Sequence, residues 1–389
     1  VARYELLTRG TEFALPQAAL ASFAGYVADG IAWSMLGSQF DVSVVGRYVA
    51  RPSTSGYDGL AALIQAAQFD SPRRGEIRAA AAKALQTWTG ALPPELAAQA
   101  TVIEQANFAA AWPSGHQHAF TSDYTLHRRA GWLASVKMFS SRTKSGERTN
   151  GENLLGSRQS DGRFHLVLDG DEYFGNDDVF AALDWSRLPG ITVEQSGNAA
   201  DDTYGFGTRA FAGGTGDSTR GVSAMDVAPL GSTLTAKKAW FFFDDAVMFL
   251  TNSITAPSAN RVETIVEQWP LRDAGAYVTR EGDWLACDNI GYWFPSGGAL
   301  HADRLTRTGS WAALGASTDT TPRTSTFLTL WLDHGVNPAA ASAASASGPR
   351  VTPAGMRAWA GARPLSILAN DARLSAVRDN RDNALGIVF

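Results

Sequence analysis

Trp112-Pro-Ser-Gly115 divides the chain, and its two sides read differently. Upstream, residues 1–110 are rich in alanine and carry apolar side chains at helical spacing. Leu20, Phe23, Val27, Ile31 and Met35 define a helix expected from Pro16 to about Leu36, with Pro16 suited to its first turn. Further helices are expected over 1–10, 55–69, 73–88 and from Pro94 onward, with stops at Gly10, Asp70-Ser-Pro72 and Gly90. Successive helices with short connections predict an antiparallel helical layer or a toroid.

Downstream, alanine falls while Gly, Thr, Asp and aromatic residues rise. Short alternating runs at 132–139, 164–168, 239–243, 247–250, 261–267 and 326–331 are separated by turn signals such as Ser160-Asp-Gly162 and Asp333-His-Gly335. Many short strands with such punctuation predict a large antiparallel β-sandwich. The expected fold class is therefore α+β, with helices over 1–110 and a β-sandwich over 111–389. The tract 339–347, alanine and serine only, reads as a loop or a featureless strand. The last strands, near 365–369 and 385–389, reach the chain end without a cap, so the sandwich is expected to continue beyond it.

Composition narrows the function. The 389 residues suffice for two domains with sizeable cores. A net charge of -5, without a basic run that would neutralise many phosphates, argues against a nucleic-acid partner. No apolar run approaches the roughly 18 residues of a membrane-spanning helix. The single cysteine, Cys287, excludes an internal disulfide and a multi-cysteine zinc site. Twelve tryptophans are a high count: they fill cores, or they offer faces on which pyranose rings stack. There is no Gly-rich phosphate loop, no Gly-x-Ser-x-Gly elbow and no His-Glu-x-x-His.

Two stretches could carry chemistry. In Asp41-Val-Ser-Val-Val-Gly-Arg-Tyr-Val-Ala-Arg51 the arginines Arg47 and Arg51 stand four apart. On a helix they would share a face and could grip an anion, although such pairs are equally common on solvated surfaces. The stretch 138–156 gathers Arg142, Glu147, Arg148, Asn150, Glu152 and Asn153 in a loop between strands, either a site wall or a solvated turn. Asp161, Asp169, Asp171, Asp177 and Asp178 could supply a glycosidase pair or a calcium site, but they sit where turns favour aspartate. His116 and His118 alternate and would share one strand face, with His127 nearby; His334 reads as structural. Tyr4, Tyr48 and Tyr124 are phenols that could act as acid or base.

Taken in order, Gly46-Arg47 with Arg51, Ser122-Asp-Tyr-Thr-Leu-His-Arg128, Phe139-Ser-Ser-Arg-Thr143, Asn150-Gly-Glu-Asn-Leu-Leu-Gly156 and Asp184-Trp-Ser-Arg-Leu-Pro-Gly-Ile-Thr192 form a series. Lys238-Ala-Trp-Phe-Phe-Phe-Asp244, Val262-Glu-Thr264 and Trp331-Leu-Asp-His-Gly335 continue it. The series resembles the polysaccharide lyase family 8 of chondroitin AC, hyaluronate and xanthan lyases, from near residue 1 to the end. The resemblance implies the C-terminal helices of an (α/α) toroid followed by a super-sandwich. It implies an acidic polysaccharide substrate, β-elimination at a uronic acid, no required cofactor, and secretion or a periplasmic location in a bacterium. It assigns catalytic roles to Arg47, Arg51 and Glu152, with Asn150 and Asn153 flanking as substrate contacts. Some relatives bind calcium near the position of Asp184.

In that family an asparagine, a histidine and a tyrosine base lie upstream of Gly-Arg, the tyrosine farther away than the 46 residues preceding Arg47 here. Tyr4 instead matches the helix that follows the family's tyrosine. The base is therefore expected in a segment or second chain upstream of Val1. Two other readings stand beside this one: a non-catalytic carbohydrate-binding portion, and a glycoside hydrolase using two of the aspartates.

Overall fold

The computed structural model describes residues 1–173, 179–196, 203–272, 278–296 and 298–389. The fold is α+β. By contacts the chain divides into a helical unit of Val1–Val44, Ser53–Ser114 and Asp169–Gly175, and a sheet unit of Val45–Pro52, Gly115–Leu168 and Asn176–Phe389. The expected division at 110/111 was contiguous. The observed one is not, because Val45–Pro52 joins the sheet unit and Asp169–Gly175 the helical unit.

In the helical unit, Tyr57–Ala66 buries Leu60, Leu63 and Ile64; Arg74–Leu85 buries Ile77, Ala80, Ala81 and Ala84; Pro94–Gln105 buries Leu96, Ala100 and Ile103. These positions recur every three or four residues, and together they form one core. The helix expected over 16–36 is shorter. Gln17–Tyr26 passes through a π-helical turn, Val27–Ile31, into Ala32–Ser34. Gly37, at φ 59°, then turns the chain into a two-residue ribbon that pairs Leu36 with Gln39.

The sheet unit is antiparallel throughout its described pairings. One four-stranded sheet runs Gly115–Ala119, Tyr124–Arg129, Trp132–Lys137, Arg163–Val167. A second runs Ala299–Gly309, Arg323–Val336, Arg261–Pro270, Thr192–Gln195. An eight-stranded sheet has Thr235–Phe242, Val247–Thr255 and Ala341–Pro349 in its middle. A three-stranded sheet closes the chain from Leu365–Asn370 to Leu385–Val388.

Alternation along Thr235–Phe242 assigns the two faces of the large sheet. Ala239 and Phe241 share a core with Met356 of the helix Pro353–Ala362 and with Val377. Lys238, Trp240 and Phe242 point the other way. There the Phe164 and Phe249 rings meet edge to face at 4.7 Å, Thr125 and Ser223 hydroxyls bond at 2.7 Å, and Tyr292 Oη donates to Glu267 at 3.2 Å. Lys238 Nζ donates to the Gly190 carbonyl in this layer.

Of the two readings of the alanine–serine tract, the strand is the one observed. Ala341–Pro349 is a central strand, with Ala346 opposite both Met248 and Trp293 and Ser345 opposite Phe249. Small residues are what fit between such neighbours. Most of the tryptophans are core residues: Trp33, Trp132, Trp185, Trp240, Trp269, Trp284, Trp293, Trp311 and Trp331 are buried, and Trp88, Trp112 and Trp359 partly so.

Phe241 is wholly buried, so Phe241→Ala should cost about 3–5 kcal/mol in denaturant unfolding; an unchanged midpoint would contradict this core. Burial also pushes the Glu267 carboxyl from its ordinary 4.5 up to about 7. The folded protein then holds a proton that the unfolded chain has released, so stability declines as pH rises from 4.5 toward 7. Glu267→Gln should flatten that slope. The check is unfolding of both proteins at about pH 5 and about pH 8: the variant should gain on wild type at the higher pH, and equal changes in both would refute the assignment.

Candidate functional site

The loop that leaves Trp132–Lys137 is tied down at its root. Asp123, fully buried and at φ 47°, accepts from Ser140 Oγ at 2.7 Å, from Thr143 Oγ1 at 2.5 Å and from Arg142 Nη2. A buried carboxylate is tolerable when its lone pairs are filled in this way. Further on, Asn150 (φ 58°), Gly151 (φ 74°) and Asn153 (φ 59°) all take the left-handed conformation. Asparagine and glycine are the residues that adopt it at least cost. The Leu154 amide is anchored to the Leu314 carbonyl at 3.1 Å.

This loop delivers two carboxylates to the arginine pair. Arg47 Nε lies 3.1 Å from Glu152 Oε2; Arg51 holds the same carboxylate through Nη2, at 2.8 Å and 2.9 Å, and through Nε at 3.2 Å. Glu147 takes Arg47 Nη1 and also accepts from the Arg47 backbone amide at 3.0 Å. Two guanidiniums and two carboxylates thus form one neutral cluster within the sheet unit. Arg51 holds the Glu152 carboxyl below its usual range, with Arg47 contributing. Glu152 in turn raises the Arg51 pKa, and the Tyr48 phenol adds to it. Nη2 of Arg47 and Nη1 of Arg51 lie outside these carboxylate contacts.

The arginines do not share an α-helix. Gly46, at φ 57°, opens a 3-10 turn, Gly46–Ala50, and Arg51 is extended at φ -103°, ψ 123°. They converge because Glu152 draws them together. A Cβ on Gly46 would fall on the Glu147 carboxylate, so only glycine allows this approach.

Arg47, Arg51 and Glu152 are thus brought together as expected from the sequence. Asn150 is exposed at the tip of the turn. Asn153 departs from expectation. It is fully buried, and its Nδ2 donates to the Glu147 carbonyl and to Gln159 Oε1, both at 2.8 Å, so it holds the loop and does not face a ligand. Glu147 is named in the polar stretch 138–156 but has no role assigned from the sequence. Its signal lies in the same polar stretch, but spacing alone does not say which of two carboxylates reaches an arginine 100 residues away.

Several other candidates have partners within their own unit. Tyr4 Oη donates to the Phe13 carbonyl within the helical unit, and Tyr124 is buried in a sheet. His116 and His118 do share a face: His116 packs on Phe242, with ring centroids 5.0 Å apart, and His118 Nδ1 bonds Thr125 Oγ1 at 2.9 Å. Burial pushes His116 down to about 4 and His127 to about 3, so both are neutral. His334 Nε2 bonds Thr264 Oγ1 at 2.9 Å. Among the aspartates, Asp161 pairs with Arg158, Asp169 and Asp171 belong to the helical unit, and Asp177 and Asp178 lie outside the described residues.

Calcium does not fit at Asp184. Its Oδ1 accepts from Ser186 N at 3.0 Å and Oγ at 2.6 Å, while Oδ2 faces Arg307 at 3.1 Å and Arg187 at 3.4 Å. Two guanidiniums occupy the place a cation would need. Among the described residues no group of three or more metal-ligating side chains converges.

Residues 114–360 match the super-sandwich domain of polysaccharide lyase family 8, and the chain belongs to that family. It is 29% identical to chondroitinase-AC of Pedobacter heparinus over 98% of this chain and 54% of that protein. It is 33% identical to hyaluronate lyase of Thermasporomyces composti over 68% of this chain and 37% of that one. Paenibacillus xanthan lyase superposes with a TM-score of 0.92 at 27% identity, over all of this chain and 41% of that structure. The chain spans about half the length, or less, of these relatives.

Gly46→Ala tests the cluster. Left-handed strain plus displacement of Glu147 should cost about 1–3 kcal/mol in denaturant unfolding, and a wild-type midpoint would show that the close approach is unimportant.

Proposed function

We propose that this chain is the C-terminal portion of a lyase that cleaves a uronic-acid-containing polysaccharide, of the chondroitin or hyaluronan type, by β-elimination. Residues 1–110 are then the last helices of an (α/α) toroid and 111–389 the antiparallel super-sandwich. The observation that carries this reading is the Arg47–Glu152–Arg51 cluster. It joins two stretches that lie far apart in sequence, and both were singled out by likeness to the family.

In the proposed reaction a base removes the C5 proton of the uronate, the bond to the leaving oxygen breaks, and that oxygen is protonated. The product is an unsaturated uronate. A phenol is a weak base at neutral pH, with a pKa near 10, and a guanidinium beside it favours the phenolate. Arg47 supplies that field and is not itself the base, because it keeps its proton. Glu152 and Glu147 hold the guanidinium planes in fixed orientation, so little reorganisation is needed as charge develops. Asn150, exposed at its turn, is the amide available for substrate. The tyrosine base belongs to a segment or chain upstream of Val1, together with an asparagine and a histidine. No cofactor enters this scheme. The enzyme is secreted or periplasmic, and no described helix is long and apolar enough to cross a membrane. Xanthan or another polyuronate is the alternative substrate, since the relatives include lyases named for each.

The test uses the whole protein that contains this chain, incubated with chondroitin, hyaluronan and xanthan while the ultraviolet absorbance of unsaturated product is followed. Wild type should generate that absorbance, and Arg47→Ala should lower kcat about 100-fold or more with circular dichroism unchanged. Cleavage without the chromophore would overturn elimination in favour of hydrolysis. Full activity from residues 1–389 alone would remove the need for an upstream base.

A further inference from the structure

Tyr48 sits between the two arginines in the turn Gly46–Ala50, and neither the family likeness nor the reaction above gives it a task. The Arg51 guanidinium carbon lies 3.8 Å from its ring centroid and that of Arg47 lies 5.1 Å away. Yet 42% of the residue stays exposed. The ring is thus held in place by the guanidiniums while part of it still reaches solvent, and an aromatic side chain with a polar tip suits such a half-covered position. The turn is also preformed: the left-handed Gly46 and the Glu147 clamp on the Arg47 amide fix the backbone on which Tyr48 stands.

We propose that Tyr48 is a substrate-contacting specificity residue, its exposed ring stacking on a pyranose of the acidic polysaccharide beside the arginine pair. The assignment rests on the lyase reading and deepens it. A pyranose presents an apolar face of C–H groups that an aromatic ring matches, while its carboxylate or sulfate suits donors such as Arg47 Nη2. The competing role is internal: the ring would only keep the Arg51 guanidinium in its plane through the cation–π contact.

The two roles separate in steady-state kinetics of the whole lyase. Tyr48→Phe keeps the ring and should leave KM within about twofold of wild type. Tyr48→Leu removes the ring and should raise KM about tenfold, with kcat within about threefold. A fall in kcat with KM unmoved would mean that Tyr48 acts through Arg51, and an unchanged KM would mean no stacking; either overturns the proposal. Wild type without unsaturated product would instead sink the lyase reading. The stacking contact is then read by calorimetric titration of a defined chondroitin oligosaccharide into wild type and Tyr48→Leu. Binding about tenfold weaker in the variant supports it, and equal binding overturns it.

Discussion

The Glu152 carboxylate is the point on which the candidate site depends. It takes Nε of Arg47 and both Nε and Nη2 of Arg51, so two guanidiniums that would otherwise repel are held side by side. The interaction is directional as well as electrostatic, because a guanidinium fork and a carboxylate share one plane. Glu147 completes it from the other side and neutralises the second positive charge. A neutral, rigid cluster differs from a loose basic patch. Its paired carboxylates fix the directions of the remaining guanidinium N–H groups.

The same logic extends through the sheet unit, where the stretches that suggested a family turn out to be contact partners. Asp123 holds Ser140, Arg142 and Thr143. Arg187 holds Glu263 at 2.8 Å and 3.0 Å, and its guanidinium lies 4.9 Å from the Trp331 ring. Thr192, Thr264 and His334 form a chain of hydrogen bonds at 2.9 Å, and Lys238 caps the Gly190 carbonyl. Buried polar groups are expensive when unpaired, so each constrains the residue that satisfies it. Several weak motifs in a fixed order were informative for that reason: they are the two ends of shared interactions.

The buried layer between the large sheet and the four-stranded sheets has a chemical consequence. Burial pushes Lys238 down to about 7 while it pushes Glu267 up to about 7, so both groups lose their charge preference near neutrality. Tyr292 and the Gln268 amide donate to Glu267, which offsets part of the desolvation. The sheet that carries the loop of Glu147 and Glu152 packs on the same large sheet, through Phe164 and Phe249.

Local pattern determined the helix and strand types, the change of character at Trp112-Pro-Ser-Gly115 and the α+β class, because periodicity and turn residues act over a few positions. Likeness of motifs added Arg47, Arg51 and Glu152 as a set. Partners and orientations came only with the tertiary structure. Nothing in the spacing announces that Gly46 must be left-handed to admit Glu147, that Asn153 turns inward, or that Arg187 and Arg307 crowd Asp184. Nor does an alanine–serine tract reveal that it is a central strand, since its identity is set by the bulk of Met248, Phe249 and Trp293 on either side. The reason is distance along the chain: Arg47 and Arg51 are separated by 100 residues or more from the carboxylate that orients them, and only packing brings them to 2.8–3.2 Å of Glu152.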